Sequence, residues 1–576
     1  MTRVPVRHSA SRFVGQAFAA LIAFIGAAAV CAAAEPLILF NGNVYTVDER
    51  NPRAQAIVAV DGRITYVGTS AEALKRAPAG AKKVDARGAT IFPGMTDSHA
   101  HLMGIGEREL NFDLQGTPSL ADLKTKLAAR AAAAPGASWI VGRGWIESRW
   151  SPAVFPTKAD LDAVVADRPV VLTRADGHSL IANSAALKRA GIDRQTPNPA
   201  GGEILRDSSG EPTGMLVDNA MALVNKLVPP PTDAEKLKAL EAGAQRSVRI
   251  GWTQLQNAGT PQYPGTAYKI MDQLCQLYTS GRIKLRLYYA VDGPGADASR
   301  LLKEGPALNK CGDRFTARSI KLYIDGALGS RGAALLAPYS DSPSSQGLLL
   351  NQPEAIAPVL REALKRGIQI ETHAIGDRGN RIMLDLYEQA FAAVPVKERA
   401  VAEPRWRLEH AQVFSPVDIP RLAKLGVIAS MQPSHAIGDL FFAPARLGPE
   451  RLTGAYAWKT LLDSGAIIVA GSDAPVEAGD PRIEFYAAVA RRSLDGYADA
   501  NWHLEQRVSR EQALKMLTLW PAYAAFQERD RGSIEVGKQA DFTVFATDLM
   551  TIPEKDIPKV RLTMTIIAGE VVYQAP

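Results

Sequence analysis

Cysteine is scarce in this chain. Of three in 576 residues, Cys31 lies in the first apolar stretch, and Cys275 and Cys311 stand alone. Two isolated cysteines exclude a disulfide framework and a cysteine zinc cluster. A single disulfide between them and two separate buried thiols both stay open. Charge of one sign is also lacking. The net charge is +6, and it falls to +3 once Arg3, Arg7 and Arg12 at the N-terminus are set aside. That is too mild to imply a nucleic-acid partner. Long apolar runs are absent except for one, AFAALIAFIGAAAV, from Ala17 to Val30. It follows the three arginines and ends in Ala32-Ala33-Ala34. This is the layout of a secretory signal peptide, residues 1–34, cut before Glu35. The expectation is therefore an exported protein, periplasmic or secreted, with no membrane segment after cleavage. A retained anchor is the alternative, but the run is short for a span and rich in alanine. A lipid acceptor role for Cys31 ranks lower, because bulky Val30 precedes it.

What remains is a globular composition, 47% hydrophobic and 22% charged with both signs, ample to bury a core. LILFNGNVYTVD (Leu37–Asp48) and AIVAVDGRITYVG (Ala56–Gly68) alternate around Asn-Gly and Asp-Gly turn signals. GKQADFTVFATD (Gly537–Asp548) and LTMTIIAGEVVYQ (Leu562–Gln574) have the same β character. The two ends are expected to pair into a small β-sandwich domain, residues 35–91 with 509–576. The latter part opens with a helix from Ser509 to Gln527, started by a Ser509/Gln512 capping box.

Between the ends, short apolar strands alternate with helices. The strands are GMTDSHAH, WTQLQNAG, LRLYYAV, SIKLYID, IQIETHA, RLEHA, VIASMQPS and IIVAGSDA, beginning at Gly94, Trp252, Leu285, Ser319, Ile368, Arg407, Val427 and Ile467. Helices are expected at Tyr268–Ser280, Glu354–Arg366, Arg378–Ala393, Val417–Leu425 and Tyr456–Ser464. Eight strand–helix repeats predict an α/β fold, a (β/α)8 barrel, over residues 92–105 and 232–508. About 150 residues separate the first two strands, too many for a loop. Residues 106–231 therefore read as an inserted subdomain, with a helix capped by Ser119 and strand-like WIVGRG and PVVLTRAD.

Histidine placement carries the chemistry. His99 and His101 are two apart on a strand, so both imidazoles share a face. His373 and His410 end the fifth and sixth strands, and Asp473 ends the eighth. In a barrel these ends converge on one face. Four His and one Asp there suit a borderline divalent metal such as zinc, as one or two ions. Lys321 sits inside the fourth strand. Once buried it must lose its charge, pair with an acid such as Asp325, or be carboxylated by CO₂ into an anion that bridges metals.

DSHAH, IKLYIDGALGSRGA, ETHAIGD, LEHAQ and GSDAPVE resemble the amidohydrolase superfamily. The closest resemblance is to its family 3 branch, similar to N-substituted formamide deformylase, over nearly all of the chain beyond the leader. The resemblance implies metal ligation by His99, His101, a carboxylated Lys321, His373, His410 and Asp473. It also implies attack of metal-activated hydroxide on an amide-type C–N bond, with Asp473 as general base. An N-acyl or N-formyl amine is the expected small-molecule substrate. A cyclic amide, a deamination substrate, or a non-catalytic binding or regulatory role on the same fold is the alternative. QLQNAGT departs from the branch by placing Asn257 where Asp is common. His178 in RADGH resembles a position near the substrate, and His435 in QPSH is a candidate for substrate or oxyanion contact. Arg331 is a candidate to hold a substrate anion or to neutralise a neighbouring acid. Trp139, Trp145, Trp150 and Phe155 form either a lid or, more simply, the insert's own core. His503 reads as a surface residue. The assembly stays open, a homodimer among the options.

Overall fold

The computed structural model describes residues 35–114, 116–133, 136, 139–147, 150–174, 179–199 and 202–576. The expected signal peptide lies outside them. All eight expected barrel strands form: β1 (Met95–Ala100), β2 (Trp252–Asn257), β3 (Arg286–Asp292), β4 (Phe315–Tyr323), β5 (Gln369–Ala374), β6 (Arg407–His410), β7 (Ile428–Met431) and β8 (Ile468–Ala470). They pair in parallel, in chain order, from β1 to β8. The ring closes just past the strand ends, where Ala100 bridges Ala474 in parallel.

Period-two patterning sets the two faces of each strand. Ile320 and Leu322 of β4, Ile370 of β5 and Leu408 of β6 belong to the main apolar core. The alternate positions carry Ser319, Lys321, Gln369, Glu371, Arg407 and Glu409, all buried. Charge on central, buried strands is tolerated only when paired, and here Arg407 of β6 serves both Glu371 of β5 and Glu409 of β6.

Helix α1 (Leu102–Leu110) follows β1, and α2 (Asp233–Ile250) leads into β2. They cross closely. A Cβ on Gly106 would lie 1.6 Å from the Ala239 carbonyl oxygen, and one on Gly243 would lie 2.5 Å from that of Leu102. Gly106, expected to open the insert, thus belongs to a helix packed on the barrel. The remaining expected helices form within two residues of their forecast ends: α3 (Ala267–Thr279), then Pro353–Arg366, Asp377–Ala393, Ile419–Leu425 and Trp458–Asp463. Cys275 of α3 is joined to Cys311 by a disulfide, with Cα atoms 5.4 Å apart.

The insert has its own six-stranded sheet and its own cores. Trp145 and Trp150 are buried there, Trp139 packs at the edge of the second core, and Phe155 is exposed. The two ends of the chain build a sandwich. A four-stranded sheet comes from the N-terminal part alone, while a six-stranded sheet interleaves both ends. In the latter, Thr90–Pro93 pairs antiparallel with Phe542–Phe545. The expected single helix from Ser509 to Gln527 is instead two, Arg510–Leu517 and Leu519–Ala524. The Ser509/Gln512 capping box is present. The break falls at Thr518 (φ −134°, ψ −83°), three residues before Pro521, which has no N–H to donate back to Leu517.

No helix among the described residues is long and apolar enough to cross a membrane.

Candidate active site and metal centre

The strand ends bring His99, His101, Lys321, His373, His410 and Asp473 together around a cavity of about 360 Å³. His435, which follows β7 in the helix Pro433–Asp439, lines the same cavity. Two donor groups emerge: His99, His101 and Asp473, and His410, His435 and Asp473, each with its ligand atoms within 4.8 Å of one another. Asp473 is their shared member. Its Oδ1 lies 3.1 Å from His101 Nε2 and 3.5 Å from His99 Nε2, and its Oδ2 lies 3.7 Å from His435 Nε2. The His373 and His410 rings meet edge to face at 4.5 Å.

Backbone geometry places Asp473. Its N–H donates to the His99 carbonyl (2.7 Å), and His101 N–H donates to the Ala474 carbonyl (2.8 Å). Asp97 accepts from the amide and hydroxyl of Ser472 and from the His99 amide. Gly471 runs so close to β1 that a Cβ would lie 2.3 Å from His99 N. His410 and Asp473 both have positive φ, 71° and 56°, which costs energy for any residue with a Cβ. The contacts around them pay that cost, and both side chains turn into the cavity as a result.

Each imidazole has one nitrogen committed to a partner. His99 Nδ1 contacts the Glu409 carboxylate. His410 Nδ1 is 2.9 Å from Gln432 Oε1, and His101 Nδ1 is 3.4 Å from the Gly259 carbonyl. Those acceptors fix the tautomer with Nε2 carrying the lone pair, the arrangement a metal-binding histidine needs. His373 faces the Gly326 carbonyl through Nε2 at 3.5 Å, which leaves Nδ1 as its second donor atom. Burial first, and then Lys321, pushes His99 down to about 4 and His373 down to about 3. With His410 also held well below the ordinary histidine value, chiefly by burial, these three imidazoles are neutral at ordinary pH.

Behind His99 lies a charge network that the sequence reading did not single out. Burial would raise Glu409, but Arg407, 2.6 Å away, and His99 hold it well below the usual carboxylate range. Arg407 also donates to Gln256, to the Ser98 carbonyl and to Ser430. The available signal was the pattern RLEH itself. Arg407 and Glu409 occupy alternate positions of a central strand, where a charge has no exit to water.

Lys321 is 1% exposed, and its Nζ has no hydrogen-bond partner. Burial holds its pKa below the usual lysine value. It is not paired with Asp325. That carboxylate instead accepts the amides of Ala334, Ile375 and Gly376 at 2.8–3.0 Å. The donor set therefore fits a divalent ion: imidazoles, one carboxylate and a buried amine without a hydrogen-bond partner.

Arg331 does not reach the cavity. Its guanidinium is engaged with both oxygens of Asp341 (2.9 and 3.1 Å), so it neutralises an acid and is not available for a substrate anion. His178 lies outside the described residues. His503 pairs with Glu505 away from the site (2.6 Å). Asn257 accepts the Leu102 amide at 2.9 Å and so starts α1, while its amide group donates to the Gly259 carbonyl. The departure from Asp is thus absorbed by a capping role.

The amidohydrolase family model matches residues 82–573. The putative amidohydrolase YtcJ of Bacillus subtilis is 34% identical over 93% of this chain and 99% of its own. The N-substituted formamide deformylase of Arthrobacter pascens is 28% identical over 93% of this chain and 98% of its own. The crystal structure of an uncharacterized metal-dependent hydrolase from Pyrococcus furiosus matches with a TM-score of 0.71 and 28% identity, over 90% of this chain and 100% of that one. With this fold, this cluster of His and Asp donors and these relatives, the chain belongs to the amidohydrolase family, as a hydrolase of its family 3 branch.

Proposed function

We propose that the protein hydrolyses an amide-type C–N bond, with an N-acyl or N-formyl amine as substrate. The observation that carries this reading is the convergence of four imidazoles and Asp473 around the buried Nζ of Lys321, which has no hydrogen-bond partner. The 28% identity to a formamide deformylase supports the substrate class. His99, His101, His373, His410 and Asp473 would hold one or two divalent ions, zinc by their N and O donors. Such an ion supplies Lewis acidity and lowers the pKa of water from about 16 toward about 7.

The chain's own residues do the rest. Asp473 takes a proton from the attacking water as its oxygen bonds to the carbonyl carbon. It passes that proton to the nitrogen as the C–N bond breaks, so the amine leaves neutral. His435 Nε2 has no hydrogen-bond partner and is placed to donate to the carbonyl oxygen as negative charge develops there. Lys321, kept toward the neutral amine by burial, adds to CO₂ with loss of one proton. The resulting carbamate would be an anion that supplies two oxygen donors. Export through the leader is part of the same proposal. The Cys275–Cys311 disulfide supports it, since such bonds persist in oxidising compartments.

Protein purified without chelators is expected to contain divalent metal by elemental analysis and to release amine from a panel of N-formyl and N-acyl amines. Asp473→Asn is expected to retain metal and lose about 10²–10⁴-fold in kcat. Near-normal turnover in a metal-replete Asp473→Asn variant would remove the base. Protein with neither metal nor amide cleavage would remove the reading.

A further inference from the structure

The walls of the cavity carry two acids that the hydrolytic machinery does not use. Apart from the donor cluster and Lys321, the charged residues that line it are Asp439 and Glu477. No arginine lines the cavity beside them, and Arg331 is held outside on Asp341. Asp439 is fixed in place. Its Oδ2 accepts from Gln412 Nε2 (2.7 Å) and Tyr456 OH (2.5 Å). Glu477 differs. Its backbone carbonyl accepts from Arg108, yet among the described residues its carboxylate is in no hydrogen bond or ion pair. A half-buried carboxylate without a partner is costly, and the open side of this one is the cavity. Pro261, Leu328, Ile375, Phe442 and Val476 supply apolar wall beside them.

Resting on the amide-hydrolase reading above, we propose that Glu477 is a specificity-determining residue that binds a cationic nitrogen on the substrate. The substrate class is then an N-acylated amine bearing a second, protonated amine, an acylated diamine. Glu477 supplies the charge partner, the apolar walls cover the methylene chain, and Asp439 turns away carboxylates. An anionic amide, such as an N-acyl amino acid, would bring its carboxylate against two like charges on this wall.

The test compares three amides of one length on the metal-replete enzyme: N-acetyl-1,4-diaminobutane, N-acetylpentylamine and N-acetyl-4-aminobutyrate. The expected order of kcat/KM is cationic, then neutral, then anionic, with the first two about tenfold or more apart, as a charge-assisted contact allows. In Glu477→Gln that cation-to-neutral ratio is expected to fall toward one, chiefly through KM, while Glu477→Asp retains part of it. A wild-type ratio near one, or a ratio unchanged in Glu477→Gln, would overturn the inference and leave the hydrolase reading intact. Calorimetric binding of 1,4-diaminobutane gives a readout independent of turnover. Binding that is lost in Glu477→Gln, in protein that cleaves no amide, supports the cation subsite and sinks the hydrolase reading instead.

Discussion

His99 has a carboxylate toward each ring nitrogen, Glu409 at Nδ1 and Asp473 3.5 Å from Nε2. Glu409 orients the ring and raises its basicity. Glu409→Gln keeps a hydrogen-bonding group of the same size but removes the charge. It is expected to weaken metal affinity by about 10–100-fold, measured by competition with a chromophoric chelator. Unchanged affinity would mean that Arg407 and the backbone alone orient the ring. The convergence of His99, His101, His373, His410 and Asp473 was legible in the sequence because each stands at the end of a recognisable strand, and strand ends converge in a barrel. Glu409, Glu477 and the neutralisation of Arg331 were not. Their roles depend on which side chains of other strands and loops face them, which period and spacing do not encode.

At the level of elements, closure of the barrel rests on the contact between β8 and β1. Gly471 is there for want of space rather than for its φ, since a methyl group would meet the His99 backbone. Gly471→Ala is expected to cost about 1–3 kcal/mol as an overpacking substitution and to displace His99 from Asp473. Thermal unfolding and metal titration on the same variant check both effects, and wild-type values in both would show that β1 gives way freely. All eight strands could be read from their apolar runs. The helix break at Thr518 was signalled by Pro521, but a strong capping box and a continuing apolar pattern outweighed it. The extent of the insert was missed at Gly106 because the glycine marks a helix crossing and not a loop.

Across the whole molecule, the sandwich is tied to the barrel by a buried ion pair. Arg286 of β3 holds Asp541, with Nε 2.7 Å from Oδ2 and Nη2 3.0 Å from Oδ1, and both residues are buried. Asp541→Ala would leave Arg286 without its partner and is expected to destabilise the fold by about 3–5 kcal/mol, read from denaturant midpoints. Burial opposes ionisation of Asp541, but Arg286 and Arg531 hold its pKa below 3.8. A depressed folded pKa gives stability that is full above the ordinary aspartate range and lost as the pH falls through the lowered value. The acid limb of wild-type stability is therefore expected to flatten in Asp541→Asn. An identical pH dependence would assign the limb to other carboxylates. The pairing of the chain ends was legible from matching β patterns, whereas its docking onto β3 through one arginine was not.

Ring closure also sets an order in time. Asp97 and Ser472 meet across 375 residues of chain, so a polypeptide still emerging from the ribosome displays His99 and His101 long before Asp473 exists. Until then the two imidazoles have no shared carboxylate, and the Glu409 behind His99 is itself 310 residues away along the chain. The reactive centre is thus completed only when β8 closes on β1, and a product terminated before Asp473 carries the fold's beginning without its chemistry.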